Sequence, residues 1–184
     1  MRILLVLVVT MAFLSSSMFA QVDKKRGIRF GYISSKISKT ELDWLEDFDD
    51  GYESFYVGFF NDAKIIPLLH LYTGLDYYQT GQKLNDNNKL VLHYLSLPLG
   101  LKLKLGPAQA FGGVHGAVKV SSRLTLLGES TSAKDFSTFD AGLFVGAGLK
   151  ILFIGAEAKY TWGLVDIHNG YKNNFWQVGL TLWF

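Results

Sequence analysis

Apolar and polar residues alternate one for one along most of this chain. The final run is the clearest: Trp176, Val178, Leu180, Leu182 and Phe184 fall on one face, and Phe175, Gln177, Gly179, Thr181 and Trp183 on the other. A period of two is the signature of a strand whose two faces meet different surroundings. Before it, Ile154, Ala156, Ala158, Tyr160, Trp162 and Leu164 oppose Gly155, Glu157, Lys159, Thr161 and Gly163. Earlier still, Phe139, Ala141, Leu143, Val145, Ala147 and Leu149 oppose Asp140, Gly142, Phe144, Gly146, Gly148 and Lys150. Leu95, Leu97, Leu99, Leu101 and Leu103 oppose Tyr94, Ser96, Gly100, Lys102 and Lys104. A noisier run sets Ala110, Val114, Val118 and Val120 against Gln109, His115, Lys119, Ser121 and Arg123. Runs over 26–37, 51–60 and 65–79 bring the total to about eight strands, most of them at or above the roughly 9–11 residues that cross a bilayer at a tilt.

The connections alternate in length. Long polar segments over 38–50, 80–88, 126–136 and 165–173 are expected to alternate with tight links at 61–64, 106–107 and 150–152. Long loops at one end, tight turns at the other and an even strand count predict an all-β fold: an eight-stranded antiparallel up-and-down transmembrane β-barrel with both termini in the periplasm. Ser38 and Glu41 have capping-box spacing ahead of Leu42, Trp44, Leu45 and Phe48, so a short amphipathic helix is expected in the first outer loop. Pro98 cannot donate to a ladder, and a bulge or kink is expected there.

The alternation alone does not say which face meets lipid. A soluble secreted lipocalin-like carrier would show the same period with the apolar face turned inward. Glycines on the polar row (Gly142, Gly146, Gly148, Gly155, Gly163, Gly179) suit a crowded lumen better than a solvated surface. Aromatic pairs gather at strand ends, as two interfacial girdles require: Phe59 with Phe60, Tyr77 with Tyr78, Tyr160 with Trp162, Phe175 with Trp176, and Trp183 with Phe184. On this arrangement a charge at Leu97, Leu143 or Leu180 should be far worse than one at Thr181 or Gly142.

Composition fits the same picture. Charged residues are 18% and aromatics 15% of the 184 residues, against roughly 25% charged in an average soluble domain. The near-neutral balance of +2 gives no reason to expect a nucleic-acid partner. Cysteine is absent, which removes disulfides, thiol nucleophiles and Cys-based metal sites. At the N-terminus, Arg2, an apolar run from Ile3 to Leu14, and then Ser15, Ser16, Ser17 and Ala20 have the layout of a secretory signal peptide. The expected organisation is therefore a signal peptide at 1–20, cleaved after Ala20, and an outer-membrane barrel domain at 21–184.

Several stretches resemble the PorT-like family of outer-membrane barrels, which shares the eight-stranded architecture of OmpA and OmpX. They are Tyr94-Leu95-Ser96-Leu97-Pro98-Leu99, the run from Phe139 to Gly148, the run from Glu157 to Leu164, and the closing Gln177 to Phe184. The resemblance spans roughly 27–184 and implies a terminal aromatic, Phe184 with Trp183, read by the barrel-assembly machinery. One member of that family is tied to protein secretion. The family has no catalytic residues to carry over.

The lumen charges Asp140, Glu157, Lys159, Lys119 and Arg123, with Lys102, Lys104 and Lys150, fall on the polar row. About eight strands enclose only enough width for side chains to pack, so these groups are expected to form a structural pairing network rather than an ion path. The acidic first loop (Glu41, Asp43, Glu46, Asp47, Asp49, Asp50) lacks EF-hand spacing and is expected to be solvated. His70 and His115 share the inner row without a convincing third metal ligand. His93 and Ser96 fall on opposite faces and cannot form a dyad within their strand, which weighs against a lipid A-modifying barrel enzyme. The sequence thus predicts a monomeric, cofactor-free, non-enzymatic barrel. Its expected partners are outer-membrane lipid, lipopolysaccharide and the assembly machinery, and its outer loops are expected to serve binding, envelope integrity or accessory transport.

Overall fold

A computed structural model describes residues 24–38, 52–85, 88–126, 129–131, 137–166 and 172–184. The segment 1–20, the helix expected after Ser38 and the acidic first loop lie outside the described residues.

The described chain forms nine strands: β1 (Lys24–Ser38), β2 (Tyr52–Lys64), β3 (Leu69–Asn85), β4 (Asn88–Leu105), β5 (Ala108–Leu126), β6 (Glu129–Thr131), β7 (Phe139–Ile151), β8 (Ile154–Gly163) and β9 (Lys172–Trp183). Every pairing is antiparallel, and β1 pairs with β2 on one side and β9 on the other, closing the sheet. Eight strands make the ring, while the three-residue β6 only extends the far end of β5. Closure leaves no edge of unpaired backbone, the condition a sheet must meet to cross lipid.

The apolar row faces outward. Leu97, Leu99, Leu101 and Leu103 of β4, Leu143 and Val145 of β7, and Val178 and Leu180 of β9 are 39–51% exposed, while their neighbours Ser96, Lys102, Phe144, Gln177 and Thr181 are buried. A lipocalin has the opposite arrangement, so that alternative fails on the direction of its faces. Tyr160 and Trp162 share one row of β8, and the other four aromatic pairs divide between the two sides. Phe59, Tyr77, Trp176 and Phe184 lie on the outward rows, whereas Phe60, Tyr78, Phe175 and Trp183 are buried in the lumen.

Three local expectations are corrected. The segment 80–88 is not a long loop, because β3 runs to Asn85 and β4 restarts at Asn88. The tight link after β2 is the turn at 65–68 rather than 61–64, closed by the Ile65 and Ile66 amides donating to the Leu69 carbonyl. Pro98 causes no bulge: Thr73 pairs with Leu99 and Asp76 with Ser96 in one unbroken register, and only the pairs across Gly74 and Leu75 are missing.

The register slips elsewhere. Tyr94 pairs with Lys119 but His93 pairs with Ser121, so Val120 is an extra residue in β5. Past this bulge the inward row passes to Ser122, opposite buried Leu92, and Arg123 pairs with Val91 on the outward row. Arg123 therefore leaves the lumen row on which its alternation placed it, since one inserted residue reverses the faces of all that follow. The turn between β4 and β5 falls where expected. Gly106 takes a φ of 63° with open space around its missing Cβ, so its backbone conformation, not crowding, calls for glycine.

Candidate functional site

The lumen is filled in layers, each built from inward residues of several strands. At its centre Arg29 of β1 is fully buried and donates Nε to Asp76 Oδ1 at 2.7 Å and Nη2 to Oδ2 at 2.9 Å. Two parallel bonds to one carboxylate are the strongest geometry an ion pair adopts. Lys159 of β8 reaches the same carboxylate at 3.6 Å, and Glu157 stands 3.9 Å from Arg29 Nη1. Two cations and two anions from β1, β3 and β8 thus balance across the barrel.

Below this layer lies an aromatic cluster of Phe60, Tyr72, Phe111, Phe144 and Trp183. Its lower edge holds a second ion cluster, in which Lys102 and Lys104 approach Asp62 at 3.2 and 3.0 Å. The Lys102 ammonium also sits 4.5 Å from the Tyr72 ring centroid and within 5.3 Å of those of Phe60, Phe111 and Trp183. An aromatic cage with one carboxylate compensates a charge taken out of water. Above the centre, Ile33, Tyr56, Tyr78, Leu92, Tyr94, Ala117 and Phe175 form an upper plug. The polar-row glycines make room for these layers. A Cβ on Gly146 would strike the Phe111 ring, and one on Gly142 the His115 ring.

The structure therefore brings together only part of the expected network. Glu157 and Lys159 belong to the central layer. Asp140 lies apart, near the outer end, where it accepts a 3.0 Å bond from Asn173, which in turn donates to Thr80. Lys119 occupies the inward row opposite Tyr94, and its backbone amide donates to the Thr138 carbonyl. Arg123 is on the outward row, and its side chain lies outside the described residues. The centrepieces Arg29, Asp76 and Asp62 were missed. Their strands, β1 to β3, alternate less cleanly, and only the barrel's closure places β1 beside β9.

Neither histidine arrangement amounts to a catalytic centre. His93 faces outward and shares a 2.7 Å hydrogen bond with Tyr77. Ser96 instead meets His115 of β5 at 3.1 Å, a pairing across strands that single-strand geometry does not reveal. Both are buried, with the His115 ring packed edge-on against Tyr78 and Phe175. His70 and His115 join no group of three or more metal-ligating side chains among the described residues.

Comparison with known proteins agrees with this architecture. The family described as outer membrane protein beta-barrel domain matches residues 51–169, more than half of the chain. The chain belongs to that family. Among solved structures, the outer-membrane barrel is similar to Ail, the attachment invasion locus protein of Yersinia pestis, at 17% identity and a TM-score of 0.50, covering 87% of this chain and 98% of that one. It is also similar to Neisserial surface protein A, at 10% identity and a TM-score of 0.59, covering 88% of this chain and 97% of that one. Identities this low speak for the fold alone. No curated protein matches in sequence.

Proposed function

We propose that this outer-membrane barrel is a non-enzymatic membrane anchor that displays a binding surface outside the cell. The observation that carries this reading is the length of β3, β4 and β5, at 17, 18 and 19 residues. Roughly ten residues cross the bilayer at a tilt, so these three strands continue outward as a projecting ribbon. Its hairpin tip carries Gln82, Lys83, Asn85, Asn88 and Lys89, the composition of a solvated surface. Beyond Tyr78 the outer edge of β3 has no ladder partner on the β2 side among the described residues, and such an edge suits recognition of an extended chain by added backbone pairing. The names of the two similar structures, an attachment protein and a surface protein, point the same way. Replacing residues 82–89 with a two-residue turn should abolish attachment of expressing cells to immobilised host-matrix polymers. The amount of heat-modifiable barrel in the outer membrane should not change. Attachment that persists at the same level would remove the ribbon from the function.

The filled lumen supports an anchor over a channel. Arg29, Tyr56, Tyr72, Tyr78, Tyr94 and Lys102 are all fully buried across its width. Purified protein in a planar bilayer should show no steady conductance, and porin-sized steps would contradict the reading. A role in accessory secretion, as in the PorT-like family, would have to run through partners at the rim rather than through this lumen.

The assembly machinery is proposed to read Trp183 and Phe184. Phe184 is 78% exposed on the lipid side, while its amide donates to the Arg26 carbonyl and so draws β9 onto β1. Deleting both residues should leave export intact but yield protease-sensitive periplasmic chain. Normal heat-modifiable protein would show that this end carries no assembly information.

A further inference from the structure

The end of the barrel that bears the tight turns carries an unusual excess of positive charge. Lys25, Lys64, His70 and Lys104 surround an open cavity of about 310 Å³, floored by Pro67, Leu68 and Gly106. Lys150 lies within electrostatic range of Lys25, Lys104, Asp62 and Lys102 and 3.7 Å from the Trp183 ring centroid. Against these five lysines, the carboxylate ion-paired at this end among the described residues is Asp62, already shared by Lys102 and Lys104. The outer-membrane anchor needs none of this. Like charges held this close cost stability unless an anion sits among them.

A second feature points to the same ligand. His70 is 8% exposed and lines the cavity, and its Nδ1 has no hydrogen-bond partner among the described residues. A buried ring nitrogen left without a partner is destabilising. An oxyanion between the lysines would give it an acceptor. The turns beside the cavity are apolar: Ile66, Leu68, Leu152 and Phe153 are 51–83% exposed. Such turns settle into the membrane interface, which sets the mouth at the level of the inner leaflet's headgroups.

We infer that the periplasmic mouth of this barrel binds a phosphate-type oxyanion, held by Lys25, Lys64 and Lys104 over the His70 ring. The inference is independent of the outer ribbon, at the opposite end of the molecule. Two sources share this chemistry, the phosphate of an inner-leaflet phospholipid and a soluble phosphate of the periplasm, and two arms of one experiment separate them. The full chain is refolded into phosphatidylcholine nanodiscs and titrated calorimetrically with inorganic pyrophosphate at constant ionic strength. In parallel, nanodiscs containing phosphatidylglycerol are stripped in detergent, and lipid retained on the barrel is counted by native mass spectrometry.

Lys25 and Lys64 are exposed, so K25Q/K64Q leaves the barrel packing intact, and K25R/K64R keeps the charge. Binding in either arm should weaken roughly tenfold or more in the glutamine pair and stay within about twofold in the arginine pair. Pyrophosphate binding assigns a soluble ligand, and retention of phosphatidylglycerol alone assigns the lipid. Absence of both, or equal binding by the glutamine pair, overturns the inference.

Discussion

Asp76→Ala should destabilise the barrel by about 3–5 kcal/mol, because it strands two buried cations at once. Arg29 loses both of its short bonds, and Lys159 loses its 3.6 Å partner. Glu157, 3.9 Å from the guanidinium, is too distant to replace a bidentate carboxylate. The effect reaches closure, since Arg29 rides on β1 and the groups it balances ride on β3 and β8. Urea titration in detergent, read as loss of heat-modified mobility, measures the cost. Arg29→Met with Asp76→Leu gives a sharper result. It leaves Lys159 and Glu157 as one cation and one anion and restores apolar volume, so the double variant should be more stable than Asp76→Leu alone. Additive losses in the two single variants would show that the four charges do not act as a unit.

How much of this was legible in the sequence depended on where a strand sits. In β7, β9 and the Leu97–Leu103 stretch of β4 one face is turned outward to lipid, so alternation is enforced residue by residue and the outward rows read correctly. The inward glycines were legible too, because a lumen packed with Phe111 and His115 leaves no room for a Cβ at Gly146 and Gly142. Where the chain leaves the membrane, at 80–88, the enforcement stops and a strand reads as a loop. One inserted residue, Val120, was enough to misplace Arg123, because alternation carries no memory across a bulge. The central ion cluster was out of reach for another reason. Arg29 and Asp76 are 47 residues apart, and only the closed ring shows that their rows face one another. The same packing bears on the expectation that a charge at Leu180 should be far worse than one at Thr181 or Gly142. Thr181 is 4% exposed and accepts a 3.2 Å bond from the Trp183 indole. Arginine there has no space, whatever the polarity of the lumen.

A lipid-facing row is instead revealed by how the cost of a charge varies with depth. Val178, Leu180, Leu182 and Phe184 run down the outward face of β9, between Trp176 near one boundary and Phe184 at the other. Leu180 lies midway, 47% exposed, flanked by Phe30 of β1 and Ala156 of β8. None of these neighbours offers a hydrogen bond to a guanidinium. Leu180→Arg should therefore cost roughly 2–4 kcal/mol in refolding into lipid, while Phe184→Arg, where the side chain reaches headgroups, should cost roughly 0–1 kcal/mol. Val178→Arg and Leu182→Arg should fall between. Thr181→Val, the inward control, keeps its shape and loses one hydrogen bond, about 1 kcal/mol, independent of bilayer thickness. In a thinner bilayer the Leu180 penalty should shrink, because the arginine head snorkels to water over a shorter path. A flat profile along these four positions, or a Leu180 penalty indifferent to thickness, would mean that this row does not face hydrocarbon.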